Sequence, residues 1–351
     1  MKNKKQKDNS LFSYYGFTKK EVREYPVISR ILKQLTPKRI KAENEAVLKT
    51  KLPLEIQKWV REYEKIGERD IFLWKWMYKA VQLITSPTIS KKYQKSLLGV
   101  KTLIIMFVTL LDDIADKTRK KILLDELLKT PLEQADIKFN RLNQNEKKYL
   151  NTARTLWNYI KKTIKKYPRY KEFKNVFEYD ITQVINEMRY AYLVNESPHL
   201  INHIEYRIYL AYNMQSFVSY TVDLMCSPSF NIRNLRLLRE IIWWIQKMAK
   251  LGNWISTWER ELKEKDFTSG VFAYAVDTGA LTADELMQGD TSKIIQKIKS
   301  VKAEETLLKE WEQCYWEVEK LSKKIRMIDI KEILAGSEKF LFLHLISRRY
   351  I

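Results

Sequence analysis

Two short stretches of this 351-residue chain carry oxygen ligands at helical spacing. The first, MFVTLLDDIADKTRK, holds Asp112, Asp113 and Asp116 behind an apolar run near Leu103 to Leu111. On a helix, Asp112 and Asp116 stand one turn apart and share a face, while Asp113 lies about 100° round the axis. Two carboxylates so placed beside an apolar stretch repel one another unless a cation sits between them. Oxygen-only donors suit Mg²⁺, which keeps several waters and binds through few carboxylates plus substrate phosphate oxygens. The competing reading is an acidic helix end in solvent, offset by Lys117, Arg119 and Lys120.

The second stretch reads KLGNWISTWERELKEKDF. Asn253, Thr257 and Glu261 are spaced by four and four, so an amide oxygen, a hydroxyl and a carboxylate line one face over two turns. Together they make a low-charge oxygen site for a single Mg²⁺. Arg260, beside Glu261, has the reach to meet a diphosphate.

Both clusters need long helices to hold them, and the composition agrees. The chain is 45% hydrophobic and 30% charged, with only eight glycines and eight prolines, the last at Pro228. Long unbroken helices use such a chain well, whereas a βαβ protein needs more turn residues. Candidate helices fall at about 20–35, 53–66, 70–85, 92–118, 145–166, 170–194, 200–225, 232–265, 289–325 and 330–348, divided by Pro and Gly signals. The expected fold is all-α, one helical domain over residues 21–351. A basic mobile arm precedes it over residues 1–20, with Tyr14, Tyr15 and Phe17 as candidates to dock.

Cys226 and Cys314 are too few for a disulfide framework and read as buried free thiols. The basic start MKNKKQKDNS is followed by no apolar signal region, and the longest apolar run is too short to span a bilayer. A soluble, cytoplasmic protein without stable membrane insertion is expected. The formal charge of +21 would suit a nucleic-acid-binding protein. Yet lysine and arginine are spread along the chain beside glutamate at helical spacing, the pattern of solvated helix faces. No nucleic-acid partner is expected.

The two clusters taken together, DDxxD and then Asn253, Thr257, Arg260 and Glu261 some 140 residues later, resemble the metal motifs of class I terpene synthases of the single-domain microbial type. Arg207, 46 residues before Asn253, matches the arginine that senses the diphosphate in that family. Leu210 and Ala211 match its linker and effector positions, and Arg349-Tyr350 its C-terminal pair. The segment EKDFTSGVFAYAVDTGALTADEL resembles the family's stretch after the second motif. Four positions depart from the pattern. Trp254 and Ser269 stand where aspartate and asparagine are usual, Ala211 replaces glycine, and a tryptophan upstream of Arg349 is missing.

The resemblance implies an α bundle around an apolar cavity. Asp112, Asp113 and Asp116 would hold two of three Mg²⁺ ions and Asn253, Thr257 and Glu261 the third, with Mn²⁺ as a substitute. Arg207, Arg260, Arg349 and Tyr350 would bind the diphosphate, with Asp112, Arg207, Arg349 and Tyr350 catalytic. An isoprenyl diphosphate would be ionised and cyclised, geranylgeranyl diphosphate being preferred slightly over farnesyl diphosphate on chain length alone. Trp76, Phe107, Tyr179, Phe217 and Tyr220 are candidates for the aromatic wall, each with core packing as its alternative. A homodimer is common among proteins of this kind. The rival enzyme is a chain-elongating isoprenyl diphosphate synthase, which needs a second aspartate-rich motif that this chain lacks. A squalene- or phytoene-type synthase would want two DxxxD motifs, also missing.

Overall fold

The computed structural model describes residues 15–132, 136–325, 328–348 and 350–351, and no strand occurs among them. The principal helices are α1 (Ile71–Leu83), α2 (Lys91–Asp112), α3 (Gln144–Ile164), α4 (Tyr170–Glu196), α5 (Ser216–Met225), α6 (Leu235–Glu264), α7 (Ala303–Ser322) and α8 (Ile330–Ile346). The protein is all-α, as its few turn residues imply.

The thirty-residue α6 is the axis of the molecule, packing most extensively on α7 and then on α8 and α5. α2 lies between α1 and α3 and is buried on nearly every side from Leu97 to Leu111. A helix apolar all round belongs in an interior. The buried side chains merge into one contiguous core. Each fully buried leucine or isoleucine in it contributes roughly 1.5–3 kcal/mol.

Local chemistry starts several helices. Asn143 and Glu146 form a reciprocal capping box at the start of α3, and the Asp70 carboxylate accepts the Phe72 N–H at 2.6 Å to open α1. Such caps satisfy backbone donors that lack a helical partner, worth about 1 kcal/mol each.

Several expected helices are divided. The stretch 20–35 breaks at Tyr25, before Pro26, where the proline cannot donate to a continuing helix. The stretch 289–325 breaks at Lys302, whose φ of 52° is left-handed. The stretch 200–225 becomes His203–Ile208, a tighter 3₁₀ turn over Leu210–Met214, and α5. The helices Pro37–Leu48, Lys121–Lys129, Gly270–Asp277 and Ala283–Gln288 were not anticipated. Elements this short are marginal alone and depend on packing, which local pattern does not reveal. Three of the four also have a capping side chain, from Thr36, Ser269 and Thr282.

One close approach sets the cavity. A Cβ on Gly336 would lie 2.0 Å from the Leu83 carbonyl oxygen, so α8 rests its backbone against the end of α1. One and two turns further along α8, Phe340 and His344 come against Trp76 of α1, at ring-centroid distances of 5.8 and 4.9 Å.

Of the arm's docking candidates, Tyr15 is buried and Phe17 packs on the core, while Tyr14 lies outside the described residues. Cys226 and Cys314 are both buried and free. Among the described residues no helix is long and apolar enough to cross a membrane. Many of the abundant lysines and arginines pair with acids one turn away, as in Lys121–Asp125 and Arg236–Glu240.

Candidate active site

Both oxygen clusters line one cavity. Its apolar side comes from Leu73, Trp76, Met77 and Ala80 of α1, Ile105 and Val108 of α2, and Phe340 of α8. The polar side holds Asp112, Asp116, Asn253, Thr257 and Glu261.

α2 ends at Asp112 and passes into a wide π-helical turn, Asp113–Thr118, closed by Arg119 at φ 50°. Single π turns of this kind are frequent at functional sites. Through the turn, Asp112 and Asp116 face the cavity and Asp113 does not. Instead Asp113 is held on the flank: Tyr63 donates its phenolic hydrogen to it at 2.7 Å, and the Arg69 guanidinium grips it at 2.7–2.8 Å. The same guanidinium lies 3.5 Å from Asp112. Asp113 therefore positions Arg69, a role different from the cavity-facing one expected of it.

Asp116 is buried and accepts a hydrogen bond from the Asn195 amide at 3.0 Å. That amide also reaches Asp266 at 3.3 Å, while the Asn195 oxygen accepts the Phe267 N–H at 2.7 Å. α6 ends at Lys265 in a left-handed conformation, which turns Asp266 back into the cavity. Arg119 donates to the Lys265 carbonyl, so the two motifs are tied at their ends.

On α6, Asn253, Thr257 and Glu261 share the face that their spacing requires. The Thr257 hydroxyl donates to the Asn253 carbonyl at 2.8 Å, leaving its oxygen lone pairs for another partner. Glu261 is buried, and its Oε2 has no partner among the described residues. Burial, and secondly Asp266, push its carboxyl up to about 7. Burial, and then neighbouring carboxylates, likewise raise Asp116 well above the ordinary range. Asp112 is also raised, with the nearby Arg69 opposing the effect of burial. Crowded acids of this kind exist as charged groups only where positive charge offsets them. Oxygen-only donors, an orphaned carboxylate oxygen and mutual repulsion fit a hard divalent cation. Among the described residues, no three Asp, Glu, His or Cys groups form a cluster able to hold an ion by themselves. Amide, hydroxyl and phosphate oxygens would have to complete any such shell.

Arg260 borders the cavity, bonded to Glu264 and, at 3.2 Å, to the Ile351 oxygen. Arg207 does not border it. Its guanidinium is forked onto Glu310 of α7 at 2.7 and 2.8 Å, because the short helix His203–Ile208 faces α7 across the surface. Leu210 and Ala211 are buried within the 3₁₀ turn, and Asn213, Met214 and Gln215 line the cavity in their stead. Tyr350 is 55% exposed and stacks on Phe72 at 4.9 Å, away from the cavity. Arg349 lies outside the described residues.

Of the aromatic wall candidates, Trp76 lines the cavity. Phe107 packs on Trp157, Phe217 on Tyr212, and Tyr220 is buried near Lys101, all within the core. Tyr179 is on the solvent side of α4, 57% exposed. An apolar helix face looks the same in sequence whether it meets a neighbour or an empty space. Phe340 and His344 were the aromatic neighbours missed. Arg69, Asn195 and Asp266 were missed too, since only long-range contacts bring them in. Trp254 lies outside the cavity: its indole N–H donates to the Thr268 carbonyl at 3.0 Å. It covers Gly270, where a Cβ would meet the ring at 2.4 Å.

The sequence profile of terpene synthase family 2, C-terminal metal binding, matches residues 104–288. That span runs from the last turns of α2 through both clusters and Asp266. No curated protein matches the chain.

Proposed function

Since this chain belongs to terpene synthase family 2 and is a class I terpene synthase, a lyase acting on diphosphates, we propose that it ionises a linear isoprenyl diphosphate and cyclises the resulting cation. The substrate class is C20 or C15, with a terpene hydrocarbon or alcohol as product and diphosphate released. The observation that carries the reading is a single cavity bordered by Asp112 and Asp116 on one side and Asn253, Thr257 and Glu261 on another, above an apolar floor.

Those five residues would hold divalent cations, Mg²⁺ by the hardness of their oxygens. When bound, such cations neutralise the negative charge that builds on a departing diphosphate. Arg69, held by Asp113, and Arg260 add charge-assisted hydrogen bonds at the same mouth. The diphosphate-binding role of Arg349 and Tyr350 rests on the resemblance alone, since Tyr350 stacks on Phe72 outside the cavity. Below the mouth Leu73, Met77, Ile105 and Val108 exclude water, which would otherwise capture an allylic cation. The faces of Trp76 and Phe340 stabilise positive charge there by about 0.5–2 kcal/mol each.

Incubation of the purified chain with geranylgeranyl or farnesyl diphosphate and MgCl₂, under an organic overlay, tests the reading. Cyclic hydrocarbon or alcohol in the overlay, abolished by EDTA, is the expected result. A longer linear diphosphate formed on adding isopentenyl diphosphate would instead establish chain elongation.

A further inference from the structure

The cavity carries one basic group that the ionisation step does not use. His344 of α8 borders it and is only 1% exposed. The chain's other two histidines, His199 and His203, lie at the surface beside Asp284 and Asp277.

The surroundings of the ring fix its tautomer. Nδ1 lies 3.1 Å from the Phe340 carbonyl oxygen. A carbonyl only accepts, so Nδ1 carries the hydrogen and Nε2 keeps its lone pair. Among the described residues Nε2 has no hydrogen-bond partner. Gly252 brings the backbone of α6 against the other edge of the ring: a Cβ there would stand 3.4 Å from Nδ1 and 3.6 Å from Cγ. Nε2 is the ring atom opposite that edge. The imidazole meets Trp76 and Phe340 at steep angles, with centroids 4.9 and 4.4 Å away. These are the two rings whose faces stabilise positive charge in the cavity. Burial keeps the imidazole neutral, with its pKa down at about 4. The carboxylates that line the cavity, Asp112, Asp116, Glu261, Glu264 and Asp266, stand instead at the ends of α2 and α6.

We propose that His344 Nε2 is the base that ends the reaction, taking a proton from the carbon next to the cationic centre so that an alkene is released. This rests on the reading of the chain as an enzyme that cyclises a prenyl cation. In the step a C–H bond breaks, its electron pair becomes the new C=C bond, and the proton converts imidazole to imidazolium. A C–H beside a cationic carbon is acidic enough for even a weak base to take the proton. The Trp76 and Phe340 rings then hold the imidazolium as they held the carbocation. Because burial disfavours the charged ring, it gives the proton to water once the product has left.

The test uses the full chain with geranylgeranyl or farnesyl diphosphate and MgCl₂, with products counted per diphosphate released. The variants are His344→Phe, His344→Gln and His344→Ala. In each, the share of the parent alkene should fall at least ~10-fold, the lower range for loss of a positioned base being larger still. Products of the same final cation should replace it: an alcohol from water capture, or an isomer with a displaced double bond on the same skeleton. Added imidazole should restore the parent alkene to His344→Ala, while thiophene, a ring of similar size without a basic nitrogen, should not. A parent-like product ratio in any folded variant overturns the proposal and leaves the departing diphosphate as the base. Equal rescue by thiophene overturns it too, since His344 then acts only through its shape. So does a parent chain whose sole product is an alcohol, because no C–H proton is then lost. If the parent consumes no prenyl diphosphate, the enzyme reading fails first and takes this proposal with it.

Discussion

At the scale of single residues, the division of labour between Asp112 and Asp113 is the most direct test of the site. Asp112 faces the cavity, whereas Asp113 is spent on Tyr63 and Arg69. Asp112→Ala should lower kcat/KM at least ~10²-fold, the size of a lost electrostatic interaction with the leaving group, with little change in Tm. Asp113→Ala should cost Tm first, because it strands a largely buried guanidinium, and activity second. The reverse ranking would mean the π turn presents the other carboxylate. Thr257 allows a second test. Thr257→Ser keeps the oxygen and Thr257→Val keeps the shape. Valine should raise the Mg²⁺ concentration for half-maximal turnover ~10-fold, about 1.4 kcal/mol, while serine stays near the parent value. Coincident titrations would remove Thr257 from the metal site.

At the scale of elements, the floor of the cavity depends on how α8 meets α1. Gly336 lies against the Leu83 carbonyl, a backbone group that cannot swing aside. Gly336→Ala should therefore destabilise the fold by roughly 1–3 kcal/mol, the usual cost of overpacking, and shift the product mixture by moving Phe340 and His344. Denaturant unfolding and product analysis check both; an unchanged midpoint would show that the helices can part freely. Element-scale reasoning also explains what could be read in advance. The stripe Asn253, Thr257 and Glu261 was legible because helical periodicity alone puts those residues on one face. The π turn after Asp112, the left-handed Lys265 that reverses Asp266 into the site, and the bridging Asn195 depend on contacts tens of residues away. Of the aromatic wall candidates Trp76 lines the cavity, while Phe107, Phe217 and Tyr220 satisfy the same periodicity and differ only in what stands opposite, which gives them the core-packing alternative.

At the scale of the whole molecule, pH dependence of stability isolates one buried group. His344 bonds the Phe340 carbonyl through Nδ1 at 3.1 Å, and burial pushes its pKa down to about 4. The unfolded chain takes up that proton near pH 6.5. Between about 6.5 and 4 the unfolded state thus binds more protons, so stability is present above 6.5 and is lost as pH falls through this window. The contribution amounts to roughly 3 kcal/mol in full. Glu261, raised to about 7, pulls the opposite way, since its folded form prefers the proton. Comparison of the parent with His344→Phe separates them: the variant's Tm should decline less between pH 6.5 and 4. Parallel curves would mean that the imidazole is charged in the fold.

The Asn195 bridge adds a constraint in time. Its amide holds Asp116, 79 residues earlier, and its oxygen holds the Phe267 N–H, 72 residues later. A ribosome adding 5–20 residues per second needs roughly 4 to 14 seconds to cover the latter interval. Throughout that wait the nascent chain carries the first acidic cluster without Glu261, Asp266 or the segment that locks Asn195. The paired clusters are therefore absent from any chain that has not passed residue 267, and the part of the floor that α8 supplies through Phe340 is made later still.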